Sequence, residues 1–256
     1  MKSSEYQLSK VDIWRTFSME NGIKSEQRVK DIGEVFTPYE IVRDMVDLID
    51  KSGKLNIEQT YLEPACGDGQ FLIELLYRKL KSVIELPVEQ RQLALVKAVC
   101  SIYGVDIQLD NVRESRRRML DLIKGEETTS FTKDGGLHTY EKLDLGIEIT
   151  AELEEVLTFV IKNNIKCGNT LTNRQYREGR KKEESTDEID ITSLEDDRDV
   201  YKIKLFATKY TFDGEEVIMT EEPMNEEADE MPLITGKVYK PIHYMSMKSR
   251  KENRNA

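Results

Sequence analysis

Apolar positions recur along the chain in two rhythms, one helical and one of short buried runs. Tyr6, Leu8, Val11, Ile13, Trp14 and Phe17 stand among charges and predict an amphipathic helix over roughly 5–21. After Gly33-Glu34-Val35-Phe36-Thr37-Pro38, Ile41, Val42, Met45, Val46, Leu48 and Ile49 keep helical spacing to about Lys51. Thr37 suits its N-cap and Pro38 its first position. Tyr61-Leu62 reads as a short buried strand, followed by a glycine-rich turn and a helix from Phe71 to about Ser82. Pro87 opens another helix, with Leu93, Val96, Val99 and Cys100 on one face. Ile102 to Asp106 reads as a strand, and an arginine-rich helix runs from about Leu109 to Ile123. This alternation predicts an α/β fold with a parallel sheet.

The second half is less regular. Gly125 to Gly146 reads as a loop, Glu152 to Lys162 as a helix, and Asn164 to Leu171 as a short strand ending in a turn. Asn173 to Asp199 is charged and reads as a flexible linker. Tyr201 to Met219 predicts a β-hairpin turning at Asp213-Gly214, Glu221 to Glu230 a loop, and Lys237 to Met247 a last strand. The expected organisation is a helical segment over 1–55, a main domain over 56–172, a linker over 173–200 and an acidic hairpin appendage over 201–256.

Composition narrows the function classes. The chain has 256 residues, 38% hydrophobic and 34% charged, which fits one sizeable domain with solvated additions. No apolar run is long enough to span a membrane, and the N-terminus lacks a signal-peptide core, so a soluble, cytoplasmic protein with no membrane partner is expected. Cys66, Cys100 and Cys167 lie far apart and there are two histidines, a pattern that fits neither a disulfide framework nor a metal centre. Net charge is −11, but unevenly spread: between Glu183 and Glu230 acidic residues outnumber basic ones 18 to 4, leaving the remainder near +3. Such a chain repels DNA at long range, so tight duplex binding by it alone is not expected.

Leu62-Glu63-Pro64-Ala65-Cys66-Gly67-Asp68-Gly69-Gln70-Phe71 carries the most chemistry. An acidic strand end, a glycine turn and a helix start allow a ligand to approach the backbone closely. With this string the chain resembles the S-adenosylmethionine-dependent adenine DNA methyltransferases, in particular the M subunits of restriction–modification systems and their phage relatives. The family's loop has the form D/E-P-A-C-G-S/D-G-x-F. Gly33 to Pro38 resembles its upstream cofactor box, Ile102 to Ile107 its second strand, and Cys167-Gly168-Asn169-Thr170-Leu171 its G-D/N-x-L element, in the gamma order.

The resemblance implies a Rossmann-like class I methyltransferase sheet, partly truncated, and S-adenosylmethionine as cofactor. Phe36, Thr37 and Pro38 would line the methionine pocket. Glu63 would bond the methionine amine or the loop itself, and Pro64, Ala65, Gly67 and Gly69 would form the close-approach turn. Asp106 would accept the ribose hydroxyls, Ile107 would pack on adenine, and Asn169 would pair with the adenine amino group. The implied activity is site-specific adenine methylation of DNA.

The family's D/N-P-P-Y/F/W box is not matched, since the sequence contains no Pro-Pro pair. No catalytic residue is assigned, and the chain is expected to be inactive alone or to depend on a recognition or catalytic partner through which it meets DNA. The alternative is a non-catalytic binding or regulatory subunit. Plainer readings stand beside these. Phe36 is equally well a core residue, and Asn169 an ordinary turn residue. Arg113, Arg116, Arg117 and Arg118 read first as a solvated helix face and second as phosphate contacts, and Cys66 fills its place by size.

Overall fold

A computed structural model describes residues 28, 34–175, 203–223 and 242–250. The predicted helix over 5–21, the 176–200 part of the charged linker and most of the second acidic stretch lie outside these residues. The elements are α1 (Tyr39–Asp47), β1 (Tyr61–Glu63), α2 (Gln70–Val83), α3 (Val88–Cys100), β2 (Ile102–Asp106), α4 (Leu109–Lys124), β3 (Thr129–Phe131), β4 (Leu137–Thr139), α5 (Ala151–Asn164), β5 (Ile165–Asn169), β6 (Arg174–Gln175), β7 (Ile203–Lys204), β8 (Phe206–Asp213), β9 (Glu216–Pro223) and β10 (Ile242–His243), with a 3-10 helix at Tyr244–Arg250.

The main sheet has the order β1-β2-β5-β6-β7. β1 pairs with β2, and β2 with β5, in parallel, while β5-β6 and β6-β7 are antiparallel. The fold is therefore mixed α/β with a partly parallel sheet. β2 is its axis: Ile102 to Val105 are buried, and α2, α3, α4 and α5 all pack against it. Leu72, Leu76, Leu95, Val99, Met119, Val156, Leu157 and Ile165 lie in the common core.

Local chemistry shifts several boundaries. Pro38 is extended (ψ 150°) and caps α1 rather than opening it, and the helix ends at Asp47, short of Lys51. The Pro38 carbonyl takes the first helical bonds, from the Ile41 and Val42 amides (3.0 and 3.1 Å), so Thr37 lies one residue outside the cap. β1 is not buried as expected. Among the described residues it has one neighbour, and Leu62 is 48% exposed. The segment read as a loop over 125–146 contains the β3–β4 hairpin, which turns through the two adjacent glycines Gly135 and Gly136. Tyr39 stacks on His138 at 3.6 Å and fastens that hairpin to α1. Residues 242–250 give a two-residue strand and a 3-10 helix rather than one long strand.

Buried polar side chains tie the segments together. The Lys79 ammonium donates to the carbonyls of Asn56, Ile57 and Gln59 (3.0, 2.8 and 2.6 Å) and to Ser101 Oγ (2.6 Å), fixing the approach to β1. Asn164 Nδ2 donates to the carbonyls of Cys100 and Ile102 (both 3.1 Å), capping the end of α3. The antiparallel pair β8–β9 joins the same core. Val217, Met219, Tyr244 and Met247 belong to it, and the Tyr103 hydroxyl donates to the Thr208 carbonyl at 2.7 Å.

Candidate functional site

Parallel pairing aligns the C-terminal ends of β1, β2 and β5. Glu63 stands opposite Gly104, and Asp106 opposite Cys167. Three polar residues, Glu63, Asp106 and Asn169, thus close three neighbouring strands. In open α/β sheets this edge is where ligands bind.

The loop from Pro64 to Gly69 crosses that edge. The Cys66 amide donates to the Val105 carbonyl (2.8 Å), and the Gly67 amide donates to Asp106 Oδ2 (2.9 Å). Gly67 (φ +53°) and Gly69 (φ +94°) are left-handed, a region side chains disfavour. A Cβ at Gly67 would meet the Phe36 ring at 3.1 Å, and one at Gly69 would meet Ser115 at 3.1 Å. Phe36 is therefore a buried residue packed against the loop.

Helix α4 supports the loop from below. Ser115 Oγ donates to the Gly67 carbonyl (2.8 Å). Arg118 donates to the Asp68 carbonyl (2.8 Å), pairs with Asp68 Oδ2 (3.2 Å) and reaches the Thr129 carbonyl (2.7 Å). Arg116 donates to the Ile165 carbonyl (2.9 Å). Arg116 and Arg118 are buried, so neither the solvated-face reading nor the phosphate reading describes them. Arg113 is exposed, while Arg117 is half-buried and pairs with Glu114 (2.6 Å) and Asp121.

The remaining sequence candidates fall as follows. Thr37 and Pro38 are half-buried at the start of α1. Glu63 Oε1 accepts from the Ala65 amide (3.2 Å), and burial raises its carboxyl above the ordinary range. The Pro64 carbonyl accepts from Thr170 Oγ1 (3.3 Å), and the Ile107 carbonyl from Cys167 Sγ (3.4 Å), so β5 closes on both other strand ends. Asn169 Oδ1 accepts from the Leu171 and Thr172 amides (2.9 and 3.1 Å), holding its own turn. Burial, then the charge of Asp106, pushes the Cys66 thiol well up, which makes it a poor nucleophile.

Sequence reasoning missed Asn111 and Ser115, gave Glu34 no role of its own within its box, and read Arg118 as part of a basic face rather than as a support of the loop. Asn111, Ser115 and Arg118 stand at i, i+4 and i+7, one helical face, and all three are buried. A polar stripe interleaved with Val112, Met119 and Leu122 is the signal that could have found them.

Residues 22–141 match the family described as N-6 DNA Methylase. Over 110 residues the chain is 31% identical to the Type II methyltransferase M.VspI of Vibrio sp. (strain 343). That match covers 43% of this chain and 22% of the relative, so the chain spans about a fifth of that protein. No solved structure matches.

Proposed function

We propose that the chain is a DNA adenine-N6 methyltransferase-like protein of restriction–modification type. It binds S-adenosylmethionine at the ends of β1, β2 and β5, on what we take to be the Rossmann-like sheet of class I methyltransferases. The observation that carries this reading is the Gly67 amide on Asp106, which sets the glycine turn directly over an acidic strand end.

The residues present fit the cofactor by their chemistry. Asp106 is an acceptor suited to a diol, and Glu63 an acceptor suited to an ammonium. The register sets them two residues apart on neighbouring strands, a backbone separation of ~8 Å, within reach of one nucleoside's polar groups. Burial makes an unpaired charge on Glu63 costly, so a cationic amine is its natural counterion. Ile107 packs on the adenine ring, and Phe36, Thr37 and Pro38 bound the methionine end. Pro64, Ala65, Gly67 and Gly69 keep the backbone low over the ligand. With Asn169 Oδ1 held by two amides, the adenine contact falls to its amide nitrogen, which donates to a ring nitrogen rather than pairing with the amino group. The cofactor, when bound, supplies an electrophilic methyl group; the chain's residues bind and orient it.

Methylation itself is expected to need a partner. β1 has no neighbour on its outer side among the described residues. α1 exposes Ile41 and Met45, and Leu48 beyond it is 82% exposed. These are apolar surfaces that a recognition or catalytic subunit would cover. A non-catalytic regulatory role is the second reading, favoured by the absence of a Pro-Pro pair.

Calorimetric titration of the full chain with S-adenosylmethionine tests the site. Binding is expected, and Asp106→Ala weakens it more than tenfold, the loss of two charge-assisted hydrogen bonds. No heat at millimolar cofactor overturns the reading. Incubation with labelled cofactor and DNA is expected to give no methylation by the chain alone; robust adenine methylation overturns the dependence on a partner.

A further inference from the structure

A line of side chains runs from the segment before α1 into the site. Arg28 grips Asp110 with both guanidinium nitrogens (2.9 and 2.8 Å) and pairs with Glu34 Oε2 through Nε (3.3 Å). Glu34 Oε1 accepts from Asn111 Nδ2 at 2.6 Å. The same nitrogen donates to Asp106 Oδ1 at 3.1 Å. Asp106 Oδ1 also takes the Gln108 amide (2.8 Å), and Oδ2 takes Gly67.

Asn111 is 1% exposed and its amide bridges two carboxylates. A neutral donor between two acidic groups does what a cation would do at lower desolvation cost, fixing the torsion of each. Without it, Asp106 and Glu34 would repel one another and Asp106 would turn more freely. A carboxylate that must meet a diol benefits from being aimed before the ligand arrives.

We propose that Asn111 and Glu34 are positioning residues that aim the Asp106 carboxylate at the cofactor's ribose. The proposal rests on the cofactor reading above and adds to it a source of ribose selectivity. Arg28, whose guanidinium holds Glu34, links the sequence before α1 to that selectivity.

The test compares S-adenosylhomocysteine with its 2′-deoxy analogue by calorimetry on the full chain. The native chain is expected to prefer the ribose form. Asn111→Ala should weaken the ribose ligand about fivefold to tenfold while leaving the deoxy ligand within about twofold. Glu34→Ala should do the same more weakly, and Glu34→Gln, which keeps a carbonyl oxygen near the place of Oε1, should restore most of the preference. Should Asn111→Ala not fold, the Glu34 pair decides alone. Equal weakening of both ligands, or no rescue by Glu34→Gln, assigns the two residues a purely structural role and overturns the proposal. Failure of the native chain to bind either ligand overturns the cofactor reading as well.

Discussion

Glu63 carries an acid whose environment works against its charge. Burial raises its pKa, and the Ala65 amide only partly offsets that. Its proton is held more tightly in the fold than in the unfolded chain, so ionisation costs stability as pH rises from about 4.5 through the raised value. A bound cation reverses this, pulling the pKa down and releasing a proton. Affinity for S-adenosylmethionine is therefore expected to rise with pH through that window. Calorimetry over a series of pH values upward from about 4.5, in two buffers of different ionisation enthalpy, should reveal proton release, and Glu63→Gln should abolish it. A pH-independent affinity would show that Glu63 does not meet the amine. Glu63 and Asp106 were legible as strand-end carboxylates because each ends a strand ahead of a loop and helix. Asn111 was not, because the polar stripe it shares with Ser115 and Arg118 marks a helix face without saying what that face meets. Its role depends on Glu34, 77 positions away in sequence.

Helix α4 shows the limit of charge patterns. Its arginines look alike in sequence, yet the structure divides them by face. Arg113 points out, whereas Arg116 and Arg118 bond the ends of α5 and the glycine loop. Arg118→Met would strand Asp68 and the Thr129 carbonyl, a loss of about 3 kcal/mol. Arg113→Met should change stability by less than about 0.5 kcal/mol. Urea unfolding of the two variants checks the contrast, and equal effects would refute the division. The helices and strands themselves were largely readable, because apolar periodicity and prolines mark them. The β3–β4 hairpin was not, since three-residue strands carry too little alternation to stand out.

At the scale of the molecule, long-range contacts decide what holds together. The hairpin β8–β9 could be read from its alternation and Asp-Gly turn, but not its docking. That depends on Tyr103 meeting Thr208 across 105 positions and on Tyr210 donating to Asn164 Oδ1 (3.2 Å). Tyr103→Phe should cost about 1–2 kcal/mol, through the orphaned Thr208 carbonyl. It should also increase amide exchange in β8 more than in β1. An unchanged midpoint in urea would mean that this hydrogen bond contributes nothing to the hairpin's docking.

The order of manufacture follows from this docking. A ribosome delivers the glycine turn early and β8 some 140 residues later, a delay of ~10 s. Once α5 is complete at residue 164, its flank still lacks the cover of Tyr210 and Val217 for about 50 residues and that of Tyr244 for about 80. A nascent chain stalled before residue 206 would thus display bare core, a target for chaperones and proteases.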